Sequence, residues 1–150
     1  PCVVRLALAA DGAVEIGTRA IPRYAHDPVI VAPARLPVAS TDFRLRHKTS
    51  LRAFYDDARA AAQAEEVIFV DQAGFVTEGS ITNIFVARGG VLLTPPVQRG
   101  LLPGVLRASL LASGRAVEQD LRLADLAEGF FIGNAVRGLV DARLAAPECV

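Results

Sequence analysis

A mixed α/β or α+β domain is predicted for this chain, with helices and strands in irregular order. One observation is a helical period that starts at Leu51. Another is a set of short apolar runs, Val67 to Val70, Ile81 to Val86 and Val91 to Leu93, separated by glycine-bearing turns. The third is size: 150 residues, 52% of them apolar and 21% charged, suit one globular domain with a sizeable core. Helix, hairpin, helix, strand is not the repeat of a regular βαβ array.

The elements follow in order. Val3 to Leu8 reads as a strand, Asp11-Gly12 as a turn, and Ala13 to Ile16 as a short apolar run. Residues 17 to 41 carry Pro22, Pro28, Pro33 and Pro37, so they read as a connector. Any strand there, such as Val29-Ile30-Val31, is expected to be short or at an edge. From Leu51, the residues Phe54, Tyr55, Ala58, Ala61 and Ala62 recur at helical spacing, with Ser50 as the expected N-cap. Val67 to Val70 is short enough for a buried strand, Asp71 to Gly74 turns the chain, and Ile81 to Leu93 folds as a hairpin around Gly89-Gly90. Past a loop rich in proline and glycine, a helix is expected from Val105 to about Ala112, ended by Gly114. A strand (117 to 121), a short helix (124 to 127) and a last strand (130 to 133) complete the chain.

Composition narrows the function. Sixteen basic and sixteen acidic residues cancel, which argues against nucleic acid or a membrane surface as a partner gripped by bulk charge. Cys2 and Cys149 lie at opposite ends without metal-type spacing, so no metal site or disulfide framework is expected and a cytoplasmic setting is the default. No run is long enough to span a membrane, and no signal peptide is visible.

Lys48 is the single lysine among the sixteen basic residues. Alone, a lysine between a polar loop and a helix is usually a solvated charge. An arginine cannot form a Schiff base, however, and a chain biased to arginine keeps a lysine here. About thirty positions on, Glu78 stands beside Gly79-Ser80, and taken singly it would be an exposed carboxylate at a strand end. Together the two suit a buried pyridoxal phosphate site, an amine for the Schiff base and an anion that keeps the ring nitrogen protonated. Gly79, Ser80 and Thr82 offer close backbone approach and hydroxyls, and Gly104 opens a helix whose first N–H groups are free for an anion. Asn134 and Arg137, by themselves, fit a capped turn with an exposed arginine.

Five segments in order carry a resemblance. They are His47-Lys48-Thr49-Ser50, Val76-Thr77-Glu78-Gly79-Ser80-Ile81-Thr82-Asn83, Thr94-Pro95-Pro96, Gly100-Leu101-Leu102-Pro103-Gly104-Val105-Leu106-Arg107 and Gly133-Asn134-Ala135-Val136-Arg137-Gly138-Leu139. Along nearly its whole length the chain resembles the fold-type IV pyridoxal phosphate enzymes, which include branched-chain and D-amino-acid aminotransferases and 4-amino-4-deoxychorismate lyase. It is most similar to the lyase module fused behind para-aminobenzoate synthase. The resemblance implies the large C-terminal domain of a D-amino-acid-aminotransferase-like fold, a sheet or pseudo-barrel with packed helices. Residues 1 to 150 would be one cofactor-binding domain, with 1 to 41 as connector and first strands and the family's small N-terminal domain absent.

By position, the resemblance implies that Lys48 bonds the cofactor and transfers the proton. Glu78 pairs with the pyridine nitrogen, and Leu102 packs on the ring. The backbone around Ile81-Thr82 and Val105-Leu106 holds the phosphate, and Asn134 and Arg137 contact phosphate or substrate carboxylate. It also implies a small-molecule substrate and a homodimer. Departures matter: Leu106 and Ala135-Val136 lack the threonines of aminotransferase relatives, and Ala53 stands where branched-chain enzymes carry a tyrosine. With Arg52, these favour the lyase, which forms 4-aminobenzoate and pyruvate on the folate route. A class IV aminotransferase acting on a branched-chain or D-amino acid, and an inactive fragment of the fold, are the alternatives.

Overall fold

Side-chain alternation builds the molecule around one curled sheet. The computed structural model of the chain describes residues 2–146. Its elements run β1 (Cys2–Leu8), β2 (Val14–Ala20), β3 (Val29–Arg35), α1 (Ala53–Ala62), β4 (Glu66–Val70), β5 (Val76–Gly79), β6 (Asn83–Arg88), β7 (Val91–Thr94), α2 (Val105–Ala112), β8 (Ala116–Glu118), β9 (Phe130–Asn134) and β10 (Gly138–Leu144). β1 and β2 form a separate antiparallel hairpin. The rest form an eight-stranded sheet in the order β5-β4-β3-β10-β9-β6-β7-β8. β3 runs parallel to both neighbours, and β7 runs parallel to β8. Val76 N–H donates to the Leu121 carbonyl beyond β8, so the two ends of the sheet meet and the curl closes. This is the expected mixed α+β fold.

Period-2 alternation sorts the core. Ile68, Ile84, Val86, Phe130 and Ile132 point to the concave side and pack with Leu121 and Leu126. Val67 and Phe69 point the other way, under α1, with Leu36, Leu45 and Tyr55. Phe85 points outward under α2, with Leu110 and Ala116. Burying each Ile or Phe contributes ~1.5–3 kcal/mol, so both helices are held by what they cover.

The β6–β7 hairpin is as expected. Arg88 pairs with Val91, and the two turn glycines between them both have positive φ, 60° and 83°, the geometry a two-residue loop between twisted strands needs. α2 spans the expected residues. It ends with Arg115 N–H bonding the Leu110 carbonyl and Gly114 N–H bonding the Leu111 carbonyl.

Other expectations are corrected. β3 is neither short nor at an edge: seven residues long, it lies between β4 and β10. Its first half, Val29 to Val31, pairs with β10, and its second half pairs with β4. Pro33 therefore falls where β10 has ended, so its missing N–H breaks no bond on that side. The expected connector thus contains the end of β2 and all of β3. α1 starts at Ala53 with Arg52 at the N-cap, rather than at Leu51 after Ser50. The Thr49 hydroxyl takes the Leu51 N–H and the Ser50 carbonyl takes the Arg52 N–H, which keeps this stretch out of the helix. β9 is not the last strand; β10 returns antiparallel to it. β8 is only three residues, and the short helix after it is a 3₁₀ turn, Leu123–Leu126. Cys2 is exposed, and Cys149 lies outside the described residues.

Candidate active site

Glu78 is the centre of the site because the fold buries it. It is the third residue of β5, only 4% exposed, at the end of the curled sheet. Its Oε2 accepts the Leu102 N–H at 2.9 Å, and its Oε1 accepts the Tyr55 hydroxyl. Burial lifts its carboxyl to about 7, and the Glu66 carboxyl pushes in the same direction. The Tyr55 and Leu102 hydrogen bonds and the Arg52 charge oppose that rise. A carboxyl poised near neutrality, with a lone pair left on each oxygen, can receive a cationic N–H donor.

The turn after Glu78 is fixed from below by Glu66, a fully buried residue of β4. Glu66 Oε1 accepts the Ser80 N–H at 2.8 Å and the Ser80 hydroxyl at 2.5 Å. Its Oε2 accepts the Thr82 hydroxyl at 2.9 Å and the Ile81 N–H at 3.3 Å. The Ile81 N–H and the Thr82 hydroxyl are therefore engaged within the protein, while the Thr82 N–H has no recorded acceptor among the described residues.

Free donors lie nearby. In α2 the first helical bond runs from Ala108 N–H to the Gly104 carbonyl, so the N–H groups of Val105, Leu106 and Arg107 have no backbone acceptor among the described residues. No side chain caps this end. Such a helix start attracts an anion. Gly104 is needed here, since a β-carbon would come within 2.3 Å of Asn83 Oδ1. Asn83 in turn donates through Nδ2 to the Leu102 carbonyl at 2.9 Å, tying the Leu102 loop to β6. Leu106 packs beside Phe85, Leu110 and Leu139, while Val105 is 74% exposed.

Lys48 sits in the loop between the 3₁₀ turn Phe43–Leu45 and α1, and its side chain is exposed rather than buried. The loop is anchored on both sides. Before it, Leu45 is fully buried and the Asp42 carboxyl caps the turn, held down at about 2 by its hydrogen bonds from Arg44. After it, Arg52 donates to the Ser80 carbonyl at 2.5 Å and Tyr55 reaches Glu78. Those two contacts tie the lysine loop to the Glu78 turn.

Asn134 caps a turn and Arg137 extends from it, as the two residues taken by themselves suggested. Asn134 Oδ1 takes the N–H groups of Val136 and Arg137, both at 3.0 Å, and its Nδ2 donates to the Ile81 carbonyl at 3.1 Å. It shapes the β9–β10 turn and links it to the Glu78 turn. Arg137 points away, donating to the Pro22 carbonyl at 3.0 Å with its guanidinium 4.8 Å from the Tyr24 ring centroid. The structure thus gathers Glu78, Ile81, Thr82, Leu102 and Asn134 into one hydrogen-bonded cluster with Glu66 and Tyr55. An open groove of about 970 Å³, lined by Asp27, Arg88, Glu128 and Asp141 among others, includes none of these site residues.

Sequence reasoning gave Tyr55 and Glu66 no site role. Tyr55 read as one more apolar position of α1. Glu66 had a visible signal: it alternates with Val67 so as to point, like Ile68, to the side opposite Val67.

No ligand accompanies the chain, so the fit of pyridoxal phosphate rests on the donor set. A buried carboxyl near neutrality for the ring nitrogen, free N–H groups at α2 for the phosphate and a loop lysine tied to the Glu78 turn suit it. Residues 7–145 match the family described as Amino-transferase class IV. A protein of Methanocaldococcus jannaschii, provisionally named branched-chain-amino-acid aminotransferase, is 32% identical over 120 residues, 75% of this chain and 42% of its own length. A Schizosaccharomyces pombe protein, provisionally named aminodeoxychorismate lyase, is 39% identical over 79 residues, 49% of this chain and 34% of its own. The chain thus spans less than half the length of either relative. Among solved structures, a provisionally named amino-acid aminotransferase of Mesorhizobium loti superposes with a TM-score of 0.86 at 42% identity, covering 96% of this chain and 73% of that one. A Legionella pneumophila structure provisionally named 4-amino-4-deoxychorismate lyase, at 21% identity and TM-score 0.74 over 87% of this chain and 53% of that one, shares the fold. The family match across almost the whole chain, with these relatives, makes this chain a member of the class IV aminotransferases, a family of pyridoxal phosphate enzymes.

Proposed function

We propose that this chain is the cofactor-binding domain of a 4-amino-4-deoxychorismate lyase, which releases 4-aminobenzoate and pyruvate. The observation that carries the cofactor part is Glu78, a buried carboxyl with protein donors on both oxygens and a raised value near 7. The lyase part is supported by Arg52, by the absence of hydroxyls at Ala53 and Leu106, and by the 39% identity to the fission-yeast protein.

Bound pyridoxal phosphate supplies an electron sink for the carbon that bears the substrate amine. Glu78 holds the ring N–H and keeps a proton there. Leu102 would pack on the ring face, and the N–H groups of Val105, Leu106 and Arg107 would hold the phosphate. Lys48 Nζ would be the amine that holds the cofactor, and as a free amine it would take the proton from the amine-bearing carbon. Asn134 keeps the Ile81 turn in register beneath these groups. Arg137, held by Pro22 and Tyr24, reaches a substrate carboxylate only by leaving them.

The domain is proposed to work with a second, smaller domain and as a homodimer that closes over the exposed Lys48. The β1–β2 hairpin supports this. Leu6 pairs with Ile16 and Leu8 with Val14, and these four side chains with Val4 are 55–70% exposed, an apolar stripe that suits a covering domain. A cytoplasmic setting fits this reading; among the described residues no helix is long and apolar enough to cross a membrane.

An aminotransferase is the second reading, favoured by the archaeal relative, which matches over the larger share of this chain. Pyruvate release from 4-amino-4-deoxychorismate without any keto-acid acceptor separates the two. If amino transfer to a keto acid is seen instead, the aminotransferase reading stands. If added cofactor gives no visible absorbance band and borohydride fixes nothing to Lys48, both fail for this chain.

A further inference from the structure

Tyr55 has no part in the chemistry above, yet its hydroxyl ends on the central carboxyl. The side chain is 5% exposed and meets the Phe69 ring edge-on at 5.5 Å between centroids. Phe54 lies 4.1 Å away on the same measure, and the Arg52 guanidinium stands 4.9 Å from the ring centroid. These neighbours aim the hydroxyl at Glu78 Oε1, its one recorded partner among the described residues. We infer that Tyr55 is a positioning residue that keeps Glu78 ionised and oriented toward the ring nitrogen of the cofactor. The inference rests on the reading of Glu78 as the partner of that ring nitrogen.

Space filling alone does not explain the hydroxyl. Phenylalanine would fill the same space between Phe54 and Phe69, and a hydroxyl buried without a partner costs stability. Here it has a partner, and the bond favours one form of it. A phenol donates readily to a carboxylate, whereas a protonated carboxyl offers one acceptor fewer. Three other groups bear on Glu78. The Leu102 N–H and the Arg52 charge favour its anion, while the Glu66 carboxyl disfavours it. Among the influences that favour the anion, the Tyr55 hydrogen bond is the largest. Burial, helped by the Glu78 charge, also pushes the Tyr55 phenol well above its ordinary range, so it remains a donor across the working pH. Without that donor, more of Glu78 would be neutral near pH 7, and a neutral carboxyl holds a pyridinium poorly.

The test follows the Glu78 side-chain carboxyl by ¹³C NMR in cofactor-free protein, with the resonance assigned through Glu78→Gln. Wild type should titrate at about 7, and Tyr55→Phe should raise the midpoint by about one unit or more. Pyridoxal phosphate should then bind about fivefold more weakly at pH 7, because a one-unit rise cuts the ionised fraction from about one half to about one eleventh. An analogue with C–H in place of the ring nitrogen should bind wild type and variant alike. A folded Tyr55→Phe with an unmoved midpoint, or equal weakening for both ligands, overturns the inference. Should Tyr55→Phe not fold, 3-fluorotyrosine incorporated in a Tyr24→Phe background leaves Tyr55 as the one tyrosine, with a more acidic phenol. The midpoint should then fall, and an unchanged one is equally fatal. If wild type binds no pyridoxal phosphate, the reading of the site fails, while the midpoints still decide whether Tyr55 controls Glu78.

Discussion

The two halves of the candidate site are built in opposite ways. Glu78 and its turn are buried, with every oxygen of Glu66 and Glu78 hydrogen-bonded, and they are welded to β4, β6 and the Leu102 loop. Lys48, at the other half, is an exposed side chain on a loop pinned only at its flanks, by Leu45 and by Arg52 with Tyr55. The buried turn fixes where a ring nitrogen would sit, and the start of α2 fixes where a phosphate would. On the proposed reading the lysine needs freedom, because it would bond the cofactor and then let go. Rigidity where charge is held, and play where a bond is exchanged, is what proton transfer by a mobile amine requires.

That contrast can be broken most strongly at Glu66. Glu66→Ala should cost about 3–5 kcal/mol, because it leaves the Ser80 and Ile81 N–H groups and two hydroxyls buried without acceptors. Chemical denaturation measures the loss. A cost below about 1 kcal/mol would mean that the turn is not held from beneath.

Glu78 gives the next largest effect, and its sign is set by burial. Its value is raised from 4.5 unfolded to about 7 folded. Stability from this residue is therefore fully present below pH 4.5 and lost as pH rises through 7, by up to about 3 kcal/mol. Asp42, Asp120 and Asp125 are lowered and act in the opposite direction at lower pH. The comparison is therefore wild type minus Glu78→Gln across pH 4 to 8. A difference that stays flat over that range removes the buried-carboxyl account.

A smaller effect is expected at Gly104→Ala, about 1–3 kcal/mol, since the new methyl meets Asn83 Oδ1 and breaks its grip on the Leu102 carbonyl. Thermal unfolding reads it. A neutral outcome would show that the start of α2 can shift, and that the anion donors are less fixed than the carboxyl.

How much of this was legible in sequence divides along the same line. The strands of the β6–β7 hairpin and the run of α2 were readable because Gly89-Gly90 and Gly114 punctuate strong local patterns. β10 was not, because Gly138 to Leu144 owes its place to β3 and β9, partners far away in the chain. β3 was discounted for Pro33, which is harmless only because of where β10 stops. In the site, the order of motifs gave Lys48 and Glu78. Neither the hydroxyl of Tyr55 nor the four donors that Ser80, Ile81 and Thr82 bring to Glu66 could be seen, since both depend on which residues the curl brings face to face. The partners of Arg137, Pro22 and Tyr24, were hidden for the same reason, since they come from the stretch read as a connector.

The lysine half yields the smallest change in stability and the sharpest test of function. An exposed side chain with no recorded hydrogen bond contributes little to folding, so Lys48→Ala should leave stability within about 0.5 kcal/mol of wild type. The same change should abolish borohydride fixation of pyridoxal phosphate, because no other lysine exists in the sequence to take its place. Peptide mass mapping after reduction reads that outcome directly. Full fixation in the variant would move the Schiff-base amine elsewhere and leave the loop between Leu45 and α1 without a chemical role. Lost fixation with retained, reversible binding of the cofactor would show that the buried half grips it unaided, and that Lys48 supplies the bond alone.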